Sequence, residues 1–167
     1  LDVAPGEKGK GLTSENLITG GAIPKEFINS VFAGVRESMT NGVIAGYPMV
    51  DVHVRVTDGS FHEVDSNENA FKMAAIFAMR DAFKNAGPVL LEPVMDVEVA
   101  TPEEYQGDIM GDLNRRRGQI QEIETRPTHA VLKAIVPLAK MFGYSTAVRT
   151  LSSGRADYTM KPSSFEE

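Results

Sequence analysis

The apolar residues of this chain change period repeatedly, from the 3.6 of a helix to the 2 of a strand and back, which confines it to a mixed α and β architecture. Ile28, Val31, Phe32, Val35 and Met39 recur at helical spacing, with Pro24 suited to the first turn and Asn41-Gly42 to the stop. From Met49 the spacing becomes two. Val50, Val52, Val54 and Val56 fall on one face and Asp51, His53, Arg55 and Thr57 on the other, the clearest strand in the chain. Asp58-Gly59 ends it. A short polar loop with Ser60, Phe61, His62 and Glu63 follows, and Asp65 or Ser66 is placed to cap a second helix. That helix carries Phe71, Ala74, Ala75, Ala78 and Ala82, widened by Met73 and Phe77, and closes at Gly87-Pro88. Its alanines predict close packing on a sheet. Upstream, Pro5 to Gly11 reads as a turn-rich polar stretch, Leu12 to Thr19 as a short strand and Gly20-Gly21 as a break.

Val89 to Leu91, and Met95, Val97 and Val99, read as extended segments on either side of Pro93, a residue that disfavours a continuous central strand. The chain is therefore divided there, into residues 1–93 and 94–167. Thr101-Pro102-Glu103-Glu104 has the form of a capping box, with Thr101 as cap and Glu104 three residues on. The helix it predicts carries Tyr105, Ile109, Met110 and Leu113, ends in Arg115, Arg116 and Arg117, and has Gly118 to close it. Strands are expected around Ile120–Thr125 and Thr128–Val136, joined by a turn at Arg126-Pro127. A helical stretch from Leu138 to Leu151 and a last strand from Arg155 to Lys161 follow. With Met95 to Val99 first, the order is β-α-β-β-α-β, that of a ferredoxin-like split βαβ domain.

Composition narrows the function. The absence of cysteine removes disulfides, thiolate zinc sites and a thiol nucleophile, and fits a reducing compartment. The net charge of −6 argues against coating nucleic acid through cationic excess. Cutting at Pro93 leaves 8 basic against 12 acidic residues in the first part and 9 against 11 in the second, so any RNA contact must be local. No apolar run is long enough to span a membrane and the N-terminus lacks a signal core, so a cytoplasmic protein without membrane contact is expected.

Few residues invite chemistry. His62 as a general base oriented by Glu63 or Asp65 is disfavoured, because residues so close in sequence rarely face one another and no nucleophile is marked. The same three residues lack the fixed spacing of a helical metal pair, and His53 and His129, in expected strands, default to structural roles. Gly6 to Gly11 has two glycines at phosphate-loop spacing but continues Leu12-Thr13 where lysine and Ser or Thr are required, and reads as a flexible turn. Arg115, Arg116 and Arg117 admit two readings, favourable charge at a helix terminus or contact with RNA phosphates. Their spacing around the helix leaves one or two for RNA and another to pair with Asp108 or Asp112.

Several runs together resemble one family. Gly20 to Ile28, Ala45 to Val52, Gly59-Ser60-Phe61-His62-Glu63-Val64-Asp65-Ser66, Ala70 to Ala74 and Pro88 to Pro93 are similar to the fourth domain of elongation factor G. Gly107 to Gly118, Val136-Pro137-Leu138, Met141-Phe142-Gly143-Tyr144 and Gly154 to Met160 are similar to its fifth. The resemblance implies an α+β fold: a ribosomal-protein-like α+β domain followed by a ferredoxin-like one. It also implies the C-terminal part of a factor that moves tRNA and mRNA through the ribosome, driven by GTP and Mg²⁺ bound to a GTPase elsewhere in the parent protein. The part seen here is then not itself an enzyme, needs no cofactor or metal of its own and acts as a monomer. Its partners are the ribosome, through rRNA and ribosomal proteins, and tRNA and mRNA at the decoding centre. Gly59, Ser60, Phe61, His62 and Asp65 match the family's tip loop, with His62 at the tip histidine. The loop amides, Ser60 and His62 are positioned by this match to meet RNA, while Phe61 is expected to anchor the loop on its own domain. Because the family's fifth domain touches the large subunit, Arg115, Arg116 and Arg117 are candidate rRNA contacts. The family pattern also leads one to expect a further strand and glycine-rich tip loop before Leu1 and a terminal helix after Glu167. A recycling or ribosome-protection paralogue, or a passive protein-binding module, are the alternative readings.

Overall fold

A computed structural model describes all 167 residues, which divide into two compact units, Leu1–Val89 and Leu90–Glu167. None of its helices is long and apolar enough to cross a membrane.

The first unit is built around the alternating strand. β1 (Asp2–Pro5) and β2 (Leu12–Asn16) flank β3 (Val52–Val56), antiparallel on one side and parallel on the other. Val52, Val54 and Val56 are buried under two helices, α1 (Lys25–Ser38) and α2 (Glu68–Asn85). On the opposite face His53 Nδ1 lies 2.8 Å from Thr13 Oγ1, and Arg55 pairs with Asp2, so both polar side chains of β3 serve the sheet. The helices bury Val31 and Val35 from α1, continued by Met39 at its C-cap, and Phe71, Ala75, Met79 and Phe83 from α2, each series four residues apart. Of the alanines expected to pack, Ala74 is exposed. The close approach involves Ala75 and is made on α1 rather than on the sheet: a Cβ on Gly34 would lie 2.3 Å from the Lys72 carbonyl oxygen and 2.9 Å from the Ala75 Cβ.

The strand is shorter than its alternation predicts. Val50 is exposed and Asp51 takes φ +53°, which ends the extended backbone one residue before Val52. Asp51 instead fastens the Pro5–Gly11 connection, which is no loose turn. The Gly9 and Gly11 amides donate to its two carboxylate oxygens at 3.0 and 2.9 Å, and the Gly6 amide donates to its carbonyl at 2.7 Å. Gly9 and Gly11 supply the positive φ values (+81° and +68°) that turn their N–H groups inward. The result has the logic of a phosphate-binding loop, concave amides around an anion, with the anion supplied by the chain itself. The sequence around it departs from a nucleotide loop at Leu12-Thr13, and the concavity is filled, so these residues do not fit GTP.

The second unit has the expected order: β4 (Glu92–Thr101), α3 (Gln106–Arg115), β5 (Gln119–Thr125), β6 (Ala130–Pro137), α4 (Tyr144–Leu151) and β7 (Asp157–Glu166). The sheet runs β5-β6-β4-β7, antiparallel throughout, which is the ferredoxin-like arrangement. Val97, Val99, Leu132, Ala134 and Val136 pack against Ile109, Leu113, Tyr144 and Val148 of the two helices. The expectation that Pro93 interrupts this strand fails. Pro93 is the second residue of β4 and pairs only with Phe165 of β7, the β6 ladder beginning at Val94, so its missing N–H costs no central hydrogen bond.

Three other local expectations are overturned. Thr101 does not cap a helix: it is buried, paired with Ala130 as the last residue of β4, and its hydroxyl donates to the Pro102 carbonyl. A 3₁₀ turn over Glu103–Tyr105 starts at Pro102 without a side-chain cap, and Glu104 pairs with Arg155 at 2.8 Å. The Leu138–Leu151 stretch is not one helix but a 3₁₀ turn (Leu138–Lys140), a break at Gly143 and then α4. His129 lies in the β5–β6 turn rather than in a strand, its carbonyl accepting from the Arg126 amide at 2.8 Å and its Nδ1 2.9 Å from Thr128 Oγ1.

Two measurements check this construction. Gly34→Ala is expected to destabilise the first unit by about 1–3 kcal/mol despite alanine's better helix propensity, because the obstruction is a backbone carbonyl. A urea midpoint unchanged or raised would contradict that packing. The Gly9 and Gly11 amides, in that order, hold the Asp51 carboxyl below the usual carboxylate range. The fastening is then complete above the pH at which an unfolded aspartate ionises and is lost as pH falls through the lower, folded-state value. The Gly9 and Gly11 amide resonances should titrate with that lowered midpoint, and in Asp51→Asn the step should vanish.

Candidate functional site

The loop between β3 and α2 is set by contacts on both sides. Val56 is the last buried residue of the strand, and its carbonyl accepts from the Leu17 amide at 2.9 Å. Gly59 follows against Ile23, where a Cβ would fall 2.5 Å from the Ile23 Cδ1, so the loop leaves the sheet in contact with the Gly20–Ile23 segment. Phe61 then turns back onto the domain. Its ring stacks on Phe27 (centroids 5.8 Å apart), which stacks on the buried Phe71 at 4.9 Å. This is the anchoring role expected for Phe61.

The His62 backbone is held while its ring is left outside. The His62 amide donates to Ser66 Oγ at 2.9 Å, and the His62 carbonyl accepts from the amides of Asp65 and Ser66 at 3.2 and 3.0 Å. Ser66 is thereby occupied, and neither it nor Asp65 caps α2. That position belongs to Asn67, whose Oδ1 accepts from the Ala70 amide at 2.8 Å. Ser60, His62, Glu63, Val64 and Asp65 are all exposed, Val64 to 94%. No hydrogen bond or ion pair joins the His62 imidazole to Glu63 or Asp65, so the loop does not assemble a base and its orienting acid. No group of three or more His, Asp or Glu is arranged to hold a metal. From Asp58 to Glu68 the chain has four carboxylates and no lysine or arginine.

The arginine triplet divides its labour. Arg116 is mostly buried, 18% exposed: its Nε donates to Asp112 at 2.8 Å, its Nη1 donates to the carbonyls of Lys140 and Phe142 at 2.6 and 3.3 Å, and its guanidinium lies 5.0 Å from the centre of the Tyr144 ring. Arg117 occupies the left-handed position after the helix, φ +61°, and pairs with Glu92 at 3.0 Å. Its amide donates to the Asn114 carbonyl and that of Gly118 to the Leu113 carbonyl, so the helix closes one residue earlier than expected, with Arg117 and not Gly118 in the left-handed turn. Only Arg115 remains free of acidic partners, with a single 3.3 Å contact to the Gly111 carbonyl. The pairing of one arginine with Asp112 was legible from their i, i+4 spacing; the capture of the 140–142 carbonyls was not.

Two family models account for the chain: Elongation factor G, domain IV, over residues 1–87, and Elongation factor G C-terminus, over residues 89–167. The chain belongs to the elongation factor G family. It is also similar to a crystal structure of a protein from Thermus thermophilus, with 37% sequence identity and a TM-score of 0.89. That match covers 99% of this chain and 24% of the other, so the chain spans about a quarter of its structural relative. The loop with His62 thus lies in the domain IV part and the arginine triplet in the C-terminal part, and the chain is a portion of a translation elongation factor.

The unequal roles of the arginines predict unequal costs. Arg116→Ala should destabilise the second unit by about 1–3 kcal/mol, through the loss of its bonds to a half-buried carboxylate and two carbonyls and of its packing on Tyr144. Arg115→Ala should stay within about 0.5 kcal/mol of the parent chain. Chemical unfolding of the two variants side by side tests the assignment, and equal losses would refute it.

Proposed function

We propose that this chain is the ribosome-entering part of a translation elongation factor that promotes GTP-dependent translocation of tRNA and mRNA, with the Gly59–Asp65 loop reaching the decoding centre. The single observation that supports this reading is the held but outward His62, on a loop fixed by the Phe61–Phe27–Phe71 stack and by Ser66, in a domain of the elongation factor G type. A loop so anchored presents its imidazole, the Ser60 hydroxyl and its amides without a large ordering cost on contact. GTP and Mg²⁺ are in this reading the business of a GTPase domain in the complete protein. These residues contribute shape, stiffness and a few hydrogen-bonding groups.

The charge of the loop decides what kind of RNA contact it makes. With four carboxylates and no cation from Asp58 to Glu68, it gains nothing from counterion release and is repelled by phosphates. It therefore suits an object that occupies space transiently, disfavouring backward slippage of the tRNA and mRNA, better than one that anchors. Anchoring on the large subunit falls to the second unit, where Arg115 is the member of the triplet free to meet phosphate. The protein works as a monomer in the cytoplasm. A recycling or ribosome-protection factor would use the same two domains; the Gly59-Ser60-Phe61-His62 pattern favours a translocation or recycling factor over a ribosome-protection one.

In the complete protein, His62→Ala should slow translocation by about tenfold, the consequence of losing one contact worth roughly 1.4 kcal/mol in the transition state, and leave GTP hydrolysis near its normal rate. A parallel loss of hydrolysis would contradict a mechanical role for the loop. Unaltered translocation would redirect the reading towards a recycling factor or a passive module.

A further inference from the structure

The turn between β6 and α4 carries the most exposed phenylalanine of the chain: Phe142 leaves 79% of its surface to solvent, whereas its neighbours Met141 and Tyr144 are buried. One exposed apolar side chain is ordinary. What distinguishes this one is how it is held. Met141 and Tyr144 plug the turn into the core of the second unit, and Arg116 reaches across from α3 to bind the carbonyls of Lys140 and Phe142 with the same Nη1. That guanidinium also lies over the Tyr144 ring, which meets Tyr158 edge-on at 4.9 Å. The backbone on both sides of Phe142 is therefore fixed, while its ring makes no aromatic contact and takes no part in the core.

The charge around the turn has the opposite sign to that of the chain as a whole. From Leu138 to Leu151 there are two basic residues, Lys140 and Arg149, and no acid, although acidic residues outnumber basic ones 23 to 17 overall. Lys140 is exposed and has no acidic partner. Asp112, the carboxylate brought to this turn from α3, is neutralised by Arg116, and Arg115 stands next to it at the same helix end with no acid of its own. A rigidly presented aromatic face among unpaired cations is complementary to an unpaired nucleic-acid base with its phosphates: the ring stacks and the cations meet the backbone. An apolar protein pocket would accept the ring but gain nothing from Lys140.

We propose that Phe142 is a stacking platform for an unpaired base of ribosomal RNA, with Lys140 beside it to contact the adjoining phosphate. This rests on the ribosome-binding reading above and adds to it a named contact in the second unit, separate from the His62 loop.

The chain contains no tryptophan, so Phe142→Trp places its only indole at the platform. The test compares the wild-type chain, Phe142→Trp, Phe142→Tyr and Phe142→Leu for binding to purified ribosomes, each variant being conservative at an exposed position. The expected result is near-parental affinity for the two aromatic variants, quenching of the indole on binding and about fivefold or greater weakening for Phe142→Leu. Undiminished binding by Phe142→Leu overturns the platform alone. So does an indole emission that shifts to the blue without quenching, the signature of a protein pocket. Absence of ribosome binding by the wild-type chain overturns the ribosome-binding reading and the platform with it.

Discussion

The stack of Phe71, Phe27 and Phe61 ties three separate parts of the first unit together: the buried face of α2, the first turn of α1 and the loop that follows the central strand. Without it, the loop after Val56 would keep its contact at Gly59 and the Ser66 bond to His62, but no side chain between them would turn inward onto the domain. With it, the ring of Phe61 spends its apolar area inward and the next residue faces outward. The Ser66 hydroxyl, accepting from the His62 amide, completes the constraint from the other side. The exposure of His62 is thus a consequence of how its neighbours are satisfied.

The second unit uses a polar device for a comparable end. Arg116 brings one charge to a carboxylate, two carbonyls and an aromatic face, and so joins the end of α3 to the turn before α4. Lysine could not do this, since its ammonium lacks the planar fork that serves several acceptors and lies flat on a ring. Arg115 ends the helix, Arg116 sits at its C-cap and Arg117 lies beyond it in the left-handed region, so the three meet three environments: solvent, core edge and strand β4. The same residue type in one run therefore carries three different roles.

Much of the scaffold was legible because it is periodic. Val52, Val54 and Val56, the four-residue series of α1, and the β-α-β-β-α-β order of the second unit each repeat often enough to outweigh local noise. What was not legible depended on partners far away or on competition between neighbours. β1 has only four residues, too few for a period, and exists because β3 offers an edge to pair with. The fastening by Asp51 joins residues 40 or more apart, so Gly6 to Gly11 looked like a slack turn. Thr101 had the sequence of a cap, but the ladder to Ala130 claimed it first. Ser66 and Asn67 both suit a helix start, and Asn67 prevailed because Ser66 was taken by His62. For the candidate site, the polar loop and the inward role of Phe61 could be read from residues. The special position of His62 came from resemblance, since nothing in its own chemistry separates it from an ordinary exposed histidine.

The position of the Asp51 fastening has a mechanical consequence. It clamps the β1–β2 connection across the start of β3, while the loop bearing His62 leaves from the strand's other end. β3 is therefore a strut with neighbours on both flanks and a clasp at its base. A thrust delivered at the loop and directed along β3 loads both ladders at once, in shear, and cannot peel the strand away one bond at a time. The clasp also prevents the two flanking strands from sliding apart beneath that load. A carboxylate in a glycine-lined hollow, which elsewhere would be a place to hold a phosphate, here serves as the foot of a column.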